Sequence, residues 1–143
     1  MIRKYKETDI DEILEVWFQA SSMAHPFLDE EFMGMEKRNI RDVYMPNTDT
    51  WVFEDRDMII GFISMMGNEV GAIFVRPDYH GRGVGRQLMD FVADFHEVME
   101  VEVFERNVVG RAFYDKYGFE FVEELVHKET KNKVLRLRFR KDK

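Results

Sequence analysis

Cysteine is absent from the 143 residues, and that absence excludes a disulfide framework, a thiolate metal site and a cysteine nucleophile. Long apolar runs are absent too. No stretch approaches the roughly 18 apolar residues of a membrane span, and the N-terminus, Met1-Ile2-Arg3-Lys4-Tyr5-Lys6, runs into alternating charge where a secretory signal would be apolar. The expectation is a cytoplasmic protein with no membrane contact. Histidine is sparse: His25, His80, His96 and His127 are scattered without metal-ligand spacing, so no metal site is expected. Ser21-Ser22 lies near His25, but no nucleophile elbow surrounds it, which removes a serine hydrolase. Clustered cation is scarce as well. The formal net charge of −7 argues against nucleic acid as a partner, because phosphate-backbone affinity depends on clustered positive charge. The one basic stretch, Lys128 to Lys143, alternates with Val134, Leu135, Leu137 and Phe139 and reads as the solvated face and tail of a strand. Internal repeats, linkers and low-complexity segments are missing.

What is there suits one soluble domain spanning residues 1–143. Hydrophobic residues make up 45% and charged residues 34%, and the length suffices for one sizeable core. An acidic surface favours cationic ligands by long-range steering. Ile2 to Tyr5 reads as a short strand. Thr8-Asp9-Ile10-Asp11 resembles an N-cap with carboxylates in the first turn, and Ile10, Ile13, Leu14, Trp17 and Phe18 mark the buried face of a helix to about Ser22. Pro26 biases His25 away from helix, and a second helix is expected from Asp29 to Val43. Met45 to Asp49 carries turn residues. Trp51 to Glu54, Met58 to Met66 and Val70 to Val75 then read as three strands of an antiparallel meander. A third helix carries Val84, Leu88, Phe91, Val92 and Phe95 inward, and Met99 to Phe104 alternates as a strand. Joined through that helix, this strand and Val70 to Val75 should be parallel neighbours. Asn107 can cap a fourth helix that stops at Gly118, and Phe119 to Val126 and Val134 to Arg140 close the chain as antiparallel strands. The class is α+β, a mixed sheet with helices on both faces.

Between strand and third helix lies His80-Gly81-Arg82-Gly83-Val84-Gly85-Arg86. Glycines let backbone N–H groups curve around an anion, and the helix start adds unpaired donors and the positive end of its dipole. Arg82 and Arg86 add charge, so the loop predicts a phosphate or pyrophosphate site. A dinucleotide G-x-G-x-x-G fails in both registers, needing glycine at Arg86 or Leu88, and no G-K-[ST] is present for a nucleotide P-loop.

The pattern that remains resembles the acetyl-CoA pyrophosphate loop of the GNAT N-acetyltransferase superfamily, [QR]-x-x-G-x-[GA], with Gly83 and Gly85 as its glycines and His80 standing where that motif has Gln or Arg. The segment Asn107 to Phe119 resembles the second signature of that family, N-x-x-[AG]-x-x-x-Y-x-K-x-G-F, in the correct order along the chain. Trp17 followed by His25-Pro26-Phe27-Leu28 is similar to a YjaB-type bacterial subgroup. The resemblance implies a mostly antiparallel sheet with a splayed parallel strand pair, whose gap takes the pantetheine arm as a substitute strand. It implies that backbone groups of Ile73, Phe74 and Val75 bond that arm, that Gly81, Arg82, Gly83, Val84, Gly85 and Arg86 hold the diphosphate, and that Asn107 contacts the arm. Phe113 either packs on it or belongs to the core.

The implied activity is acetyl-CoA-dependent transfer to an acceptor amine in a ternary complex, since without cysteine no thioester relay is available. Such a site needs a donor for the oxyanion and an acid for the leaving sulfur. Tyr114 is the candidate acid, with a core aromatic as its alternative reading, and a backbone N–H near Phe74 or Val75 is the candidate oxyanion donor. Glu69, Glu36, Tyr44 and His25 are candidates for taking the amine proton. Met23 to Leu28 is a candidate acceptor-binding loop, and the acceptor pocket is expected between the two N-terminal helices and the strands near Trp51 and Ile63. A small-molecule amine and a protein amine both remain open as partner, as do monomer and homodimer. A non-catalytic acyl-CoA-sensing module of the same fold is the alternative function.

Overall fold

The computed structural model describes residues 1–141, so Asp142 and Lys143 of the expected basic tail lie outside the described residues. Alternating and helix-spaced apolar residues resolve into β1 (Ile2–Lys4), α1 (Ile10–Ala24), α2 (Glu30–Asn39), the single turn α3 (Met45–Asn47), β2 (Asp49–Asp55), β3 (Met58–Met66) and β4 (Glu69–Val75). The chain continues through α4 (Val84–Ala93), β5 (Val98–Phe104), α5 (Val108–Tyr117), β6 (Glu120–Val126) and β7 (Lys133–Arg140). All seven strands join one sheet in the order β1-β2-β3-β4-β5-β7-β6. Every neighbouring pair is antiparallel except β4 and β5. No helix among the described residues is long and apolar enough to cross a membrane.

Two apolar cores sandwich the sheet. On one face α1 and α2 bury Ile13, Val16 and Trp17 against Val52, Ile59 and Phe62. On the other, α4 and α5 bury Leu88, Met89 and Val92 against Ile63, Val101 and Leu137. Strand parity decides which residue sees which face. Trp51 and Ile63 turn toward α4, where Trp51 meets the rings of Phe91 and Phe95. The strands expected near the acceptor pocket do line a cavity with the N-terminal helices, through Phe62 and Ser64 on either side of Ile63. A register shift beside Gly61 breaks the simple alternation of β3.

Four other expectations need correction. Phe18 is 52% exposed, because the buried stripe of α1 is centred on Ile13, Val16, Trp17 and Ala20 and leaves position 18 on its flank. Phe95 is 61% exposed, because α4 ends at Ala93 and the ring only lies over Trp51. The second helix is capped by Asp29, whose Oδ1 accepts the Phe32 N–H at 2.8 Å, but past Asn39 it widens into a π-helical turn, Ile40–Tyr44, before α3. The turn expected at Met45 is therefore helical, with Pro46 tolerated in a first turn that needs no N–H from it.

The parallel pair β4–β5 is in register at only two positions, Glu69 with Glu100 and Val70 with Val101. Arg136 of β7 staples that vertex. Its Nη2 lies 3.0 Å from Glu69 and 2.6 Å from Glu100, and its Nη1 lies 2.8 Å from Glu102. Arg138 adds a 2.7 Å contact to Glu100. The two arginines hold the Glu100 carboxyl below its ordinary range. A depressed folded pKa contributes stability that is complete above the unfolded value of about 4.3 and is lost as pH falls through the folded one. Replacing Arg136→Met should therefore cost roughly 1 kcal/mol near neutral pH, with the deficit shrinking in acid. Urea denaturation on both sides of about pH 4 checks this, and a deficit that ignores pH would assign the effect to the packed aliphatic stem.

Candidate active site

Beyond Val70 and Val101 the two strands part, while β4 stays paired to β3 up to Val75. The Arg76 N–H bonds the Ile60 carbonyl at 2.8 Å. Antiparallel alternation then turns the backbone groups of Phe74 and Ala72 toward β3 and those of Ile73 and Val75 into the gap. Phe74 thus departs from the expectation that its backbone faces the gap; its ring packs on Phe62 at 5.8 Å instead. The Val75 carbonyl accepts a hydrogen bond from His80 Nε2 at 2.9 Å. A carbonyl can only accept, so that nitrogen carries a hydrogen. The residue that departs from the loop motif thereby ties the loop back to the strand end.

The loop itself is shaped by sign of φ. Gly81 (φ 78°) and Gly83 (φ 81°) occupy the left-handed region, and a Cβ at Gly81 would meet nothing within 4 Å, so conformation and not space demands the glycine there. The first α4 amide to find a partner is that of Gln87, on the Gly83 carbonyl at 3.0 Å, so the preceding N–H groups remain available. Gly81, Gly83, Val84, Gly85 and Arg86 line one large cavity with the gap. Arg82 does not line it; its guanidinium lies 5.0 Å over the Tyr79 ring. Gly85 has a packing reason as well, since a Cβ would stand 3.2 Å from the Phe113 ring.

Asn107 opens α5, and its Oδ1 accepts the Gly110 N–H at 2.8 Å. That bond fixes the carboxamide, so its Nδ2 is the atom 3.2 Å from His25 Nε2. A Cβ on residue 110 would lie 2.5 Å from the same Nδ2, which explains the small residue three positions after the asparagine. His25 Nδ1 sits 2.9 Å from Ser21 Oγ, and burial among Phe27 and Phe104 pushes its pKa down to about 4. Tyr114 is 7% exposed, its ring between Phe113 and Phe119. No partner for its hydroxyl exists among the described residues, and no fully buried side-chain oxygen there lacks one, so the hydroxyl is not sealed from solvent, and Tyr114 lines the cavity. Burial raises the phenol pKa well above its ordinary value, which keeps it protonated at neutral pH.

The cavity measures about 750 Å³. Its remaining wall comes from α2, the π-helical turn and the β6–β7 turn, with Phe32, Met33, Glu36, Tyr44 and His127. Three carboxylates lie on the wall, and they differ. Glu69 and Glu102 are bound by Arg136, whereas Glu36 has no ion pair among the described residues and burial raises its pKa. Tyr44, beside Glu36, is raised for the same cause. Among the described residues no three His, Asp or Glu converge as a metal site would require. Sequence reasoning missed the Arg136 staple and the contact between His25 and Asn107. The facing patterns of Glu100, Glu102, Arg136 and Arg138 carry the signal for the first; nothing local signals a contact 82 residues apart.

Compared with known families, residues 46–121 match the acetyltransferase (GNAT) domain. The chain is 33% identical over 131 residues to the peptidyl-lysine N-acetyltransferase YiaC of Escherichia coli (strain K12), covering 91% of this chain and 90% of that protein. It is 29% identical over 119 residues to the peptidyl-lysine N-acetyltransferase YjaB of the same organism, covering 82% and 80%. The solution structure of apo-form YjaB from Escherichia coli superposes with a TM-score of 0.88 at 27% identity, over 97% of this chain and 96% of that one. With the splayed strands, the glycine loop and the capped Asn107 helix in place, these matches establish that the chain belongs to the GNAT acetyltransferase family.

Proposed function

We propose that this protein transfers an acetyl group from acetyl-CoA directly to an amine, with a lysine side chain of a protein as the acceptor class, in a ternary complex. One observation carries the reading: the edge of β4 at Ile73 and the Val75 N–H, which no strand pairs, in a cavity that the glycine loop and Tyr114 also line. An edge of this kind pairs with an amide-bearing chain as a strand would. The N–H groups from Gly81 to Arg86 hold the diphosphate, with Arg86 supplying charge. Asn107 and Phe113 flank the arm. The peptidyl-lysine relatives support the acceptor class, and so does a wall where Phe32 and Met33 suit an aliphatic stem and Glu36 suits its ammonium.

In the reaction the neutral amine nitrogen forms a bond to the thioester carbon, the oxygen becomes an oxyanion facing the Val75 N–H, and the carbon–sulfur bond then breaks. Tyr114 donates its hydrogen toward the departing sulfur. Glu36 takes the amine proton, made more basic by burial and left free of arginine. Glu69 serves as a staple, since Arg136 occupies its carboxylate. His25 is a poor base, being neutral with both nitrogens engaged.

Two measurements test this. Tyr114→Phe should lower kcat about 10²-fold or more while leaving the affinity for CoA within a few-fold; a retained kcat would return Tyr114 to the core. Free thiol should appear only when acetyl-CoA and a lysine peptide are present together, with no acetylated enzyme in the mass spectrum when the peptide is omitted. Tight CoA binding without thiol release from any amine would favour the sensing module.

A further inference from the structure

Helices α1 and α5, on opposite faces of this sheet, come into contact. His25 follows α1, on the face of the first core, and Asn107 caps α5, on the face of the second. Ordinarily a continuous sheet keeps such residues apart. Here β4 and β5 have separated, and the His25 ring sits against Phe104, the last residue of β5, at 5.2 Å. From there it reaches Asn107, three residues beyond the end of β5, at the mouth of the gap.

The hydrogens in this contact are fixed by what each atom can do. Gly110 N–H must donate, so Asn107 presents Oδ1 to it and Nδ2 to His25. The amide nitrogen can only donate, so His25 Nε2 accepts and must be bare. The hydrogen of the neutral ring then resides on Nδ1 and is given to Ser21 Oγ at 2.9 Å. The Ser21 hydroxyl is left to donate, and Met33 Sδ of α2 lies 3.9 Å away. Every bond runs in one direction, from the cap of α5 through α1 to α2. Reversing any member would leave two donors or two acceptors facing each other. Asn107, 8% exposed, keeps its second Nδ2 hydrogen without a partner among the described residues, and it lines the cavity.

We propose that His25 is a positioning residue at the β5 side of the gap's mouth, holding the Asn107 carboxamide in one orientation for the ligand arm. This rests on the reading of the gap as the acetyl-CoA site. The ring is neutral at working pH because burial pushes it down to about 4, so the bridge does not titrate in that range.

Two arms of one experiment decide it. In the full-length apo protein, long-range nitrogen–proton NMR correlations of His25 near neutral pH should show the Nδ1–H tautomer, the less common form of free histidine. An Nε2–H ring or an imidazolium overturns the proposal. In calorimetric titrations with CoA, His25→Phe keeps the ring but loses the acceptor, and should weaken Kd about tenfold. His25→Gln, whose Oε1 can accept from Nδ2, should return to within about threefold of the parent. Equal affinities for all three, or a folded Gln variant that fails to rescue, overturn it as well. If the parent binds CoA but transfers to no amine, the transfer reading fails alone. If it does not bind CoA, the gap reading fails with the positioning role for it, and the tautomer arm decides only whether the bridge exists.

Discussion

Two adjacent strands that pair for two residues and then part create a problem that the rest of this molecule is arranged to manage. Backbone N–H and C=O groups inside a sheet are hydrogen-bonded almost without exception, because leaving one dry and unpaired costs as much as a lost hydrogen bond. At Ile73 and the Val75 N–H the cost is avoided by keeping the gap open to a cavity, while the Val75 carbonyl takes its hydrogen bond from His80. Holding two strands apart requires a fixed vertex and a fixed mouth. Arg136 fixes the vertex from β7, gathering the carboxylates of both diverging strands. At the mouth, His25 after α1 and the α5 cap Asn107 join across the two faces on the β5 side.

The ion pairs do not hold the fold together; the cores do. Each large apolar side chain removed from water contributes roughly 1.5–3 kcal/mol, and residues such as Ile13, Phe62, Leu88 and Met89 are buried to within 1% of completely. A partly exposed charge pair contributes roughly 0–1 kcal/mol. What Arg136 supplies is therefore geometry. Its planar fork reaches three carboxylates at 2.6–3.0 Å, and a lysine, with a single point charge, would not impose the same spacing. Arg3 plays a similar part at the β1 edge of the sheet, where it binds Asp9 at the head of α1 and Glu54 of β2.

How far the sequence reached follows from how local each cause is. The glycine loop was legible because the sign of φ and a helix start are decided within seven residues, and the Asn107 helix because a cap, a small residue three positions on and a terminal glycine are all near neighbours. Strands were legible as strands. Which face they showed was not always so, since the shift at Gly61 changes parity partway along β3 and Trp51 and Ile63 end on the α4 side. Phe18 and Phe95 met the periodic pattern but fell at the flank and beyond the end of their helices. The π-helical turn after Asn39 has no signature in composition. Most of the cavity wall is non-local: α1, α2 and α5 contribute to it from segments far apart in the chain, and only the folded sheet says which of Glu36, Glu69 and Glu102 is left without an arginine.

Burial acts on Tyr114 in two ways that have to be weighed together. A phenol raised above its ordinary pKa of about 10 is a weaker acid than a thiol of about 8.5, so in isolation complete transfer of its hydrogen to a thiolate would be uphill. The thiolate, however, would be born in the same desolvated cavity, and desolvation penalises that anion too. The two shifts oppose each other, and the hydrogen bond between donor and incipient anion gains strength from the low dielectric around it. On the proposed reading, Tyr114 works by stabilising charge as it develops on sulfur, with proton transfer completed as the sulfur meets water. A more exposed tyrosine would ionise more easily and stabilise less. The apolar packing of Tyr114 between Phe113 and Phe119 is thus compatible with chemistry as well as with core formation, and the accessible hydroxyl is the feature that separates the two.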